Sequence, residues 1–122
     1  MEKANMKLKE IAKVLDAQFI TEAMDADDLD ISSACSTDLM SVVLYYHSMN
    51  CLLITGLTQP SVIRTAEIAC IKCIVFVQGK NPNLQTIELA KEKGIPLLST
   101  PHSMYSVSGR LFQAGLPSSP EK

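Results

Sequence analysis

Tryptophan is absent from this 122-residue sequence, arginine occurs only twice, and long apolar runs are missing. The longest uninterrupted apolar runs, at residues 42–46 and 73–77, have five residues each, whereas a membrane-spanning helix needs about 20. We therefore expect no segment that crosses a membrane and no membrane partner. The first ten residues lack the apolar core of a secretory signal, so a cytoplasmic protein is expected.

Basic charge is scarce and unevenly distributed. The sequence has 11 Lys and Arg against 13 Asp and Glu, a formal net charge of −2, and residues 14–63 contain seven acids and no Lys or Arg. Proteins that bind nucleic acids usually carry a basic surface, because neutralisation of phosphates supplies much of their affinity. A nucleic-acid partner is therefore not expected.

The motifs of the common nucleotide-using enzymes are also missing. The sequence contains neither the G-x-x-x-x-G-K-[ST] motif of P-loop enzymes nor a G-x-G-x-x-G after the first strand of a βαβ unit. No pair of carboxylates is placed at the predicted strand ends for acid and base catalysis. We therefore predict a protein that is not an enzyme, with no catalytic residue and no cofactor.

The four cysteines are interpreted as core residues. Cys70 and Cys73 form a C-x-x-C pair, which in other contexts is a redox or metal-binding motif. A redox pair of this kind opens a helix after a strand, whereas this one leads from a helix end into a strand. Cys35 and Cys51 lie in or beside predicted strands, where cysteine packs as a small apolar residue. A zinc or iron–sulfur site and redox chemistry are the alternatives.

The acidic run at residues 25–30 is interpreted as a solvated loop. An EF-hand would need Gly at its sixth position and Glu at its twelfth, and this sequence has Asp30 and Ser36 there. No metal site is predicted.

Apolar periodicity predicts helices and strands along the whole chain, which is long enough for one domain. Leu8, Ile11, Ala12 and Leu15 recur at helical spacing. A short strand is expected at 18–21, an acidic loop at 22–30 and a β-prone stretch at 31–35. The residues Ser36, Thr37 and Asp38 are typical of helix N-caps and precede a predicted helix that reaches residue 46.

From residue 51 the sequence repeats with a period of 22 residues. Continuous apolar strands are predicted at 51–55, 73–77 and 95–99, and helices at 60–69, 83–93 and 103–114. Strands without polar alternation are typical of a parallel sheet covered by helices on both faces. We therefore predict an α/β fold, a three-layer α/β/α sandwich with a mainly parallel sheet of about five strands over residues 1–116. Residues 117–122 are predicted to be a disordered tail.

In such sheets, ligands bind beyond the carboxyl ends of the strands. The three predicted strands end in loops rich in hydroxyl and amide groups that lead into helix N-termini, which favour anions. His102 lies at this edge, whereas His47 ends a helix. The predicted ligand-binding residues are Asp38, Thr55, Gly56, Thr58, Lys80, Ser99, Thr100 and His102. The same residue types also occur in ordinary turns and caps.

Four segments resemble the DRTGG-domain family: residues 6–16, 36–41, 52–60 (LLITGLTQP) and 94–101 (GIPLLSTP). The five-letter signature itself is not spelled out, and Thr55-Gly56 is its nearest counterpart. The family is similar to the N-terminal domain of HPr kinase/phosphorylase and occurs as regulatory inserts in CBS-domain pyrophosphatases and in phosphotransacetylases. The resemblance implies a non-catalytic regulatory or ligand-sensing domain that pairs with a second copy of itself. A nucleotide or phosphorylated metabolite is the expected ligand.

Two other functions fit the same sequence. A protein–protein interaction module with no small ligand would use the apolar faces of the helices. Residues 84–114 also resemble the α/β/α ribosomal proteins that bind kinked RNA, although Lys80, Lys91 and Lys93 supply little basic charge for that role.

Overall fold

A computed structural model describes residues 5–21, 28–45 and 50–119. Seven strands and five helices lie in these ranges. They are β1 (Met6–Lys7), α1 (Leu8–Leu15), β2 (Gln18–Phe19), β3 (Asp30–Ile31), β4 (Ser33–Ser36), α2 (Met40–Val43), β5 (Cys51–Thr55), α3 (Pro60–Ile68), β6 (Ile71–Phe76), α4 (Leu84–Lys93), β7 (Leu97–Ser99) and α5 (Met104–Gln113).

The main sheet has five strands in the order β2-β7-β6-β5-β4. Strands β4, β5, β6 and β7 pair in parallel, and β2 pairs antiparallel with β7. The short strands β1 and β3 form a separate antiparallel pair. The predicted fold, a mainly parallel five-stranded sheet with helices on both faces, is confirmed.

Each face of the sheet carries its own apolar core. Alternate side chains of β5 point to opposite faces, so that Leu52 packs with α1 and α5 while Leu53 packs with α3 and α4. Both leucines are fully buried. Burial on both sides explains why the strands read as continuous apolar runs.

The ends of the predicted helices are set by residues at the helix ends themselves. Helix α3 has Pro60 as its first residue, and the side chains of Asn83 and Ser103 cap α4 and α5 by accepting from the N–H groups of Thr86 and Ser106. Gly94 follows α4 with a φ of 70°, a left-handed conformation that favours glycine. These short-range signals place the helix boundaries within one residue of the prediction.

Several strand boundaries and one helix differ from the prediction. Strand β2 ends at Phe19 rather than at residue 21. Strand β6 spans Ile71–Phe76 rather than residues 73–77; its start was missed because the exposed Lys72 breaks the apolar run of an otherwise buried strand. Strand β7 begins at Leu97 rather than residue 95. Helix α2 has only four residues, and its N-cap is Leu39, whose N–H donates to Thr37 Oγ1.

The prediction of a disordered tail from Pro117 is wrong for residues 117–119. Ala34 N–H donates to the Pro117 carbonyl, and Ser119 N–H donates to the Ala34 carbonyl, at 3.0 and 2.9 Å. Ser119 is 2% exposed. The segment therefore covers the outer edge of β4, where backbone groups would otherwise lack partners in the sheet.

Several predictions concern residues outside the described ranges. These are the central part of the acidic loop at 22–27, the end of the second helix at residue 46, His47, and the tail residues 120–122. Within the described ranges, none of the helices is long and apolar enough to cross a membrane.

Candidate functional site

The carboxyl ends of β5, β6 and β7 meet at one edge of the sheet, which we call the strand-end rim (residues 55–58, 78–81 and 99–102). Gln78 and Gly79 have φ values of 60° and 69°, so the chain turns sharply after β6. Their N–H groups donate to the carbonyls of His102 and Thr100, both at 2.8 Å. The prediction that these loops gather at one edge is therefore confirmed.

The charged groups of Asp38 and Lys80 both lie close to Gly56. The Asp38 carboxylate accepts from Gly56 N–H at 2.7 Å and from the Thr55 hydroxyl at 2.9 Å. A Cβ atom placed on Gly56 would lie 3.4 Å from Lys80 Nζ and 3.6 Å from each carboxylate oxygen of Asp38. The predicted residues Asp38, Thr55, Gly56 and Lys80 thus form one group, the Asp38–Gly56–Lys80 cluster.

The backbone conformation of Gly56 does not require glycine. The glycines with positive φ among the described residues are Gly79, Gly94 and Gly115, and Gly56 is not one of them. A Cβ atom at Gly56 would lie in van der Waals contact with the Asp38 carboxylate and the Lys80 ammonium group. Glycine at such a position lets a ligand approach the backbone closely.

The backbone of Lys80 is fixed by its neighbours. The Ser99 hydroxyl donates to the Lys80 carbonyl at 3.0 Å, and Lys80 N–H donates to the Val77 carbonyl at 3.1 Å. Ser99 therefore positions Lys80 with its hydroxyl. The side chain of Lys80 is exposed to solvent at the rim.

Thr55 and Thr58 make contacts within the protein. Thr55 is fully buried; its hydroxyl donates to Asp38 and accepts from Leu57 N–H at 3.2 Å. The Thr58 carbonyl accepts from the Thr86 hydroxyl at 2.8 Å, which links the loop after β5 to α4. Thr55 supports the cluster by orienting Asp38, and Thr58 lies half-buried beside it.

Thr100 and His102 point away from the cluster. Thr100 is fully buried, and its hydroxyl donates to the carbonyl of Leu15 at the end of α1. His102 Nε2 lies 2.9 Å from Asp16 Oδ2, and Arg110 Nη1 lies 3.6 Å from the same oxygen. These two predicted site residues therefore join α1 to the loop before α5.

Asp16 is the centre of this second group and was not predicted from the sequence. Its hydrogen bond with His102 lowers the pKa of the Asp16 carboxyl, and the charges of His102 and Arg110 act in the same direction. Asp16 has a φ of 52° at the C-terminal cap of α1. An aspartate directly after an amphipathic helix is a signal for such a cap, but its partners lie 86 and 94 residues away in the sequence.

The two cysteines of the C-x-x-C pair have different surroundings. Cys70 is exposed with a φ of 61°, and Cys73 is fully buried in the core. Burial raises the pKa of the Cys73 thiol. In the part of the chain that the structure describes, no group of three or more His, Cys, Asp or Glu side chains could hold a metal ion.

A groove of about 500 Å³ lies between β4 and α5. Its walls include Tyr105 and Phe112, which are 90% and 74% exposed. The Ser36 and Ser108 hydroxyls are 2.7 Å apart beneath it.

The fold is that of a small α/β domain with hydroxyl-bearing and charged side chains at its strand-end rim. The family profile of the DRTGG domain matches residues 10–114. Because this match covers most of the sequence, the chain belongs to the DRTGG-domain family. The resemblance found in the sequence is therefore confirmed.

Among solved structures, the chain is similar to the CBS and DRTGG domains of the regulatory region of Clostridium perfringens pyrophosphatase, crystallised with its activator diadenosine tetraphosphate. The TM-score is 0.73 at 18% identity, and the match covers 95% of this chain and 51% of that one. The chain thus spans about half the length of this structural relative. A search of curated proteins found no match.

Proposed function

We propose that this chain is a non-catalytic regulatory domain that binds a nucleotide or a phosphorylated small molecule at the Asp38–Gly56–Lys80 cluster. The observation that carries the proposal is that two opposite charges, the Lys80 ammonium group and the Asp38 carboxylate, both lie 3.4 to 3.6 Å from the position that a Cβ on Gly56 would occupy. A cytoplasmic location fits this role.

The two charges suit different parts of a nucleotide. The Lys80 ammonium group attracts a phosphate, and the exposed position of its side chain lets a ligand reach it. The Asp38 carboxylate repels phosphate but accepts hydrogen bonds from sugar hydroxyls. Asp38 therefore faces the ribose and Lys80 faces the phosphate in the complex we propose.

The comparison supports a regulatory role. The pyrophosphatase region that shares this fold is a regulatory region crystallised with a nucleotide activator. We infer from this likeness that the task of the rim is to bind a regulatory ligand.

Isothermal titration calorimetry tests this proposal with ATP, diadenosine tetraphosphate, ribose 5-phosphate and inorganic phosphate. Lys80→Met is expected to weaken nucleotide binding at least tenfold, and Gly56→Ala to weaken it similarly by filling the space beside Lys80. Lys91→Met is the matched control, because it removes the same charge from an exposed position on α4. Equal affinity of all three variants for the nucleotide would refute the assignment of this site.

A second function is favoured by the exposed aromatic residues of α5. Here we propose that a second copy of the chain packs against the face formed by Tyr105 and Phe112, giving the homodimer expected from the sequence. Light scattering after gel filtration is expected to show a dimer that Tyr105→Ser with Phe112→Ser converts to a monomer. Ile68→Ser, on the exposed side of α3, is the control. A dimer that survives the double change excludes this face.

A further inference from the structure

Two buried thiols lie together beside the sheet edge that residues 117–119 cover. The Sγ atoms of Cys35 on β4 and Cys51 on β5 are 4.0 Å apart. Both side chains are nearly inaccessible, at 5% and 1% exposure. They are free thiols on adjacent parallel strands.

A chain of hydroxyl groups extends from Cys51. The Ser119 Oγ lies 2.8 Å from Cys51 Sγ and 2.9 Å from the Ser33 Oγ. Hydroxyl and thiol donors around one sulfur stabilise its anionic form, which is the nucleophilic form of cysteine. The contact with Cys35, followed by those with Ser119 and Ser33, lowers the pKa of Cys51 to about 7 despite its burial, and the same contact with Cys51 raises the pKa of Cys35.

The segment that covers these thiols is held in place by few hydrogen bonds. Ser119 belongs to the segment at residues 117–119, which joins the edge of β4 through two backbone hydrogen bonds to Ala34. Short segments that are held to a sheet edge by few hydrogen bonds open locally at low free-energy cost. A small reagent can then reach Cys51 without unfolding of the sheet.

We propose that Cys51 and Cys35 form a modification site that a hydroperoxide oxidises to an intramolecular disulfide. The Cys51 thiolate attacks the peroxide oxygen, which gives a Cys51 sulfenic acid and releases hydroxide or alkoxide. The Cys35 thiol then attacks the Cys51 sulfur, a disulfide bond forms, and water leaves with the sulfenic oxygen. Two thiols are oxidised and one peroxide is reduced.

Disulfide formation also changes the contacts of the C-terminal segment. The sulfur atoms must approach from 4.0 Å to a bond length of about 2.0 Å. Cys51 then no longer has a thiolate for the Ser119 hydroxyl to stabilise. Oxidation is therefore expected to loosen residues 117–119 from the edge of β4.

The experiment uses the full chain with Cys70→Ser, which removes the exposed thiol, and treats it with hydrogen peroxide. Mass spectrometry is expected to show a loss of two hydrogens. Cleavage before Asp38, which lies between the two cysteines, should give fragments that remain linked through Cys35 and Cys51. With Cys35→Ser added, dimedone should trap a sulfenic acid at Cys51. The buried Cys73 serves as the internal control and should react at least tenfold more slowly.

The Ser119→Ala variant tests whether the Ser119 hydroxyl stabilises the Cys51 thiolate or only covers it. This test needs no change of a cysteine. The pH midpoint for reaction of Cys51 with a small alkylating reagent is expected to move upward, because one donor to the thiolate is lost. An unchanged midpoint, or native protein in which Cys51 reacts no faster than Cys73, overturns the proposal.

Discussion

At the scale of single residues, the hydroxyl groups of the rim differ in burial and in what they hold: one positions a cluster residue and another joins the rim to α1. Ser99 is half-buried and holds the backbone of Lys80. Thr100 follows it in sequence but is fully buried and holds the carbonyl of Leu15. Adjacent residues in an extended segment point in opposite directions. For this reason a hydroxyl in a strand-end loop does not by its residue type indicate a ligand contact.

The Thr100→Val change tests the structural role of Thr100. It leaves the Leu15 carbonyl and the His102 N–H without the hydroxyl that now contacts both. The expected loss is about 1–3 kcal/mol in the free energy of unfolding, the usual cost of unsatisfied buried polar groups. Urea denaturation followed by circular dichroism measures it. Thr58→Val is the control and should stay within about 0.5 kcal/mol; equal losses would contradict the assignment.

The ion pair of Asp16 predicts a pH dependence of stability. Because the folded protein has a lowered Asp16 pKa, this carboxylate stabilises the fold above its unfolded pKa of about 3.9. That stabilisation is lost as the pH falls through the folded pKa. Asp16→Asn keeps a residue that tolerates positive φ and should give a flatter stability profile below pH ~4. Urea titrations at several acidic pH values check this, and a profile parallel to that of the unmodified chain would refute it.

At the scale of elements, the segment at 117–119 acts as an additional edge strand. Ser118 forms a parallel bridge with Ala34, and Ser119 is buried against Cys51 and Ser33. The segment looks like a tail in the sequence because it is short, polar and rich in proline and serine. Its position on β4 depends on contacts with residues more than 80 positions earlier in the chain. No local sequence pattern predicts such contacts.

A chain that ends at Leu116 tests the contribution of this segment. The change removes two backbone and two side-chain hydrogen bonds of residues 117–119. At about 0.5–1.5 kcal/mol each, the expected loss in the free energy of unfolding is about 2–6 kcal/mol. The uncovered edge of β4 should also cause aggregation that increases with concentration. Ser118→Ala, which keeps the backbone pairing, is the control for urea denaturation and light scattering.

At the scale of the whole molecule, one sheet serves both apolar cores. Leu15 of α1 packs in one core and Leu53 of β5 in the other. Both cores include residues of β5 and β6, so loss of one core removes support from the other.

This arrangement predicts a single unfolding transition for the described domain. Leu15→Ala and Leu53→Ala should each cost about 2–5 kcal/mol, because both leucines are fully buried. The transitions measured by far-ultraviolet circular dichroism and by tyrosine fluorescence should coincide in each variant. Two separate transitions in either variant would show that the layers unfold independently.

The sequence by itself determined the order of the main elements, the parallel sheet and most helix ends. Apolar runs, the proline at the start of α3 and Gly94 after α4 act over only a few residues. Their effect on strand and helix boundaries can therefore be predicted from the local sequence. The same 22-residue repeat predicted that Thr55, Lys80 and Ser99 would lie at one edge of the sheet.

Only the tertiary structure decided which of those residues face each other. It placed Asp38 and Lys80 beside Gly56, turned Thr100 and His102 toward α1, and brought Ser119 to Cys51. These pairs come from distant parts of the chain, and their distances depend on strand register and side-chain direction. Strand register and side-chain direction are both set by packing of the whole sheet, because residues far apart in the sequence come into contact only when their strands and helices are packed together.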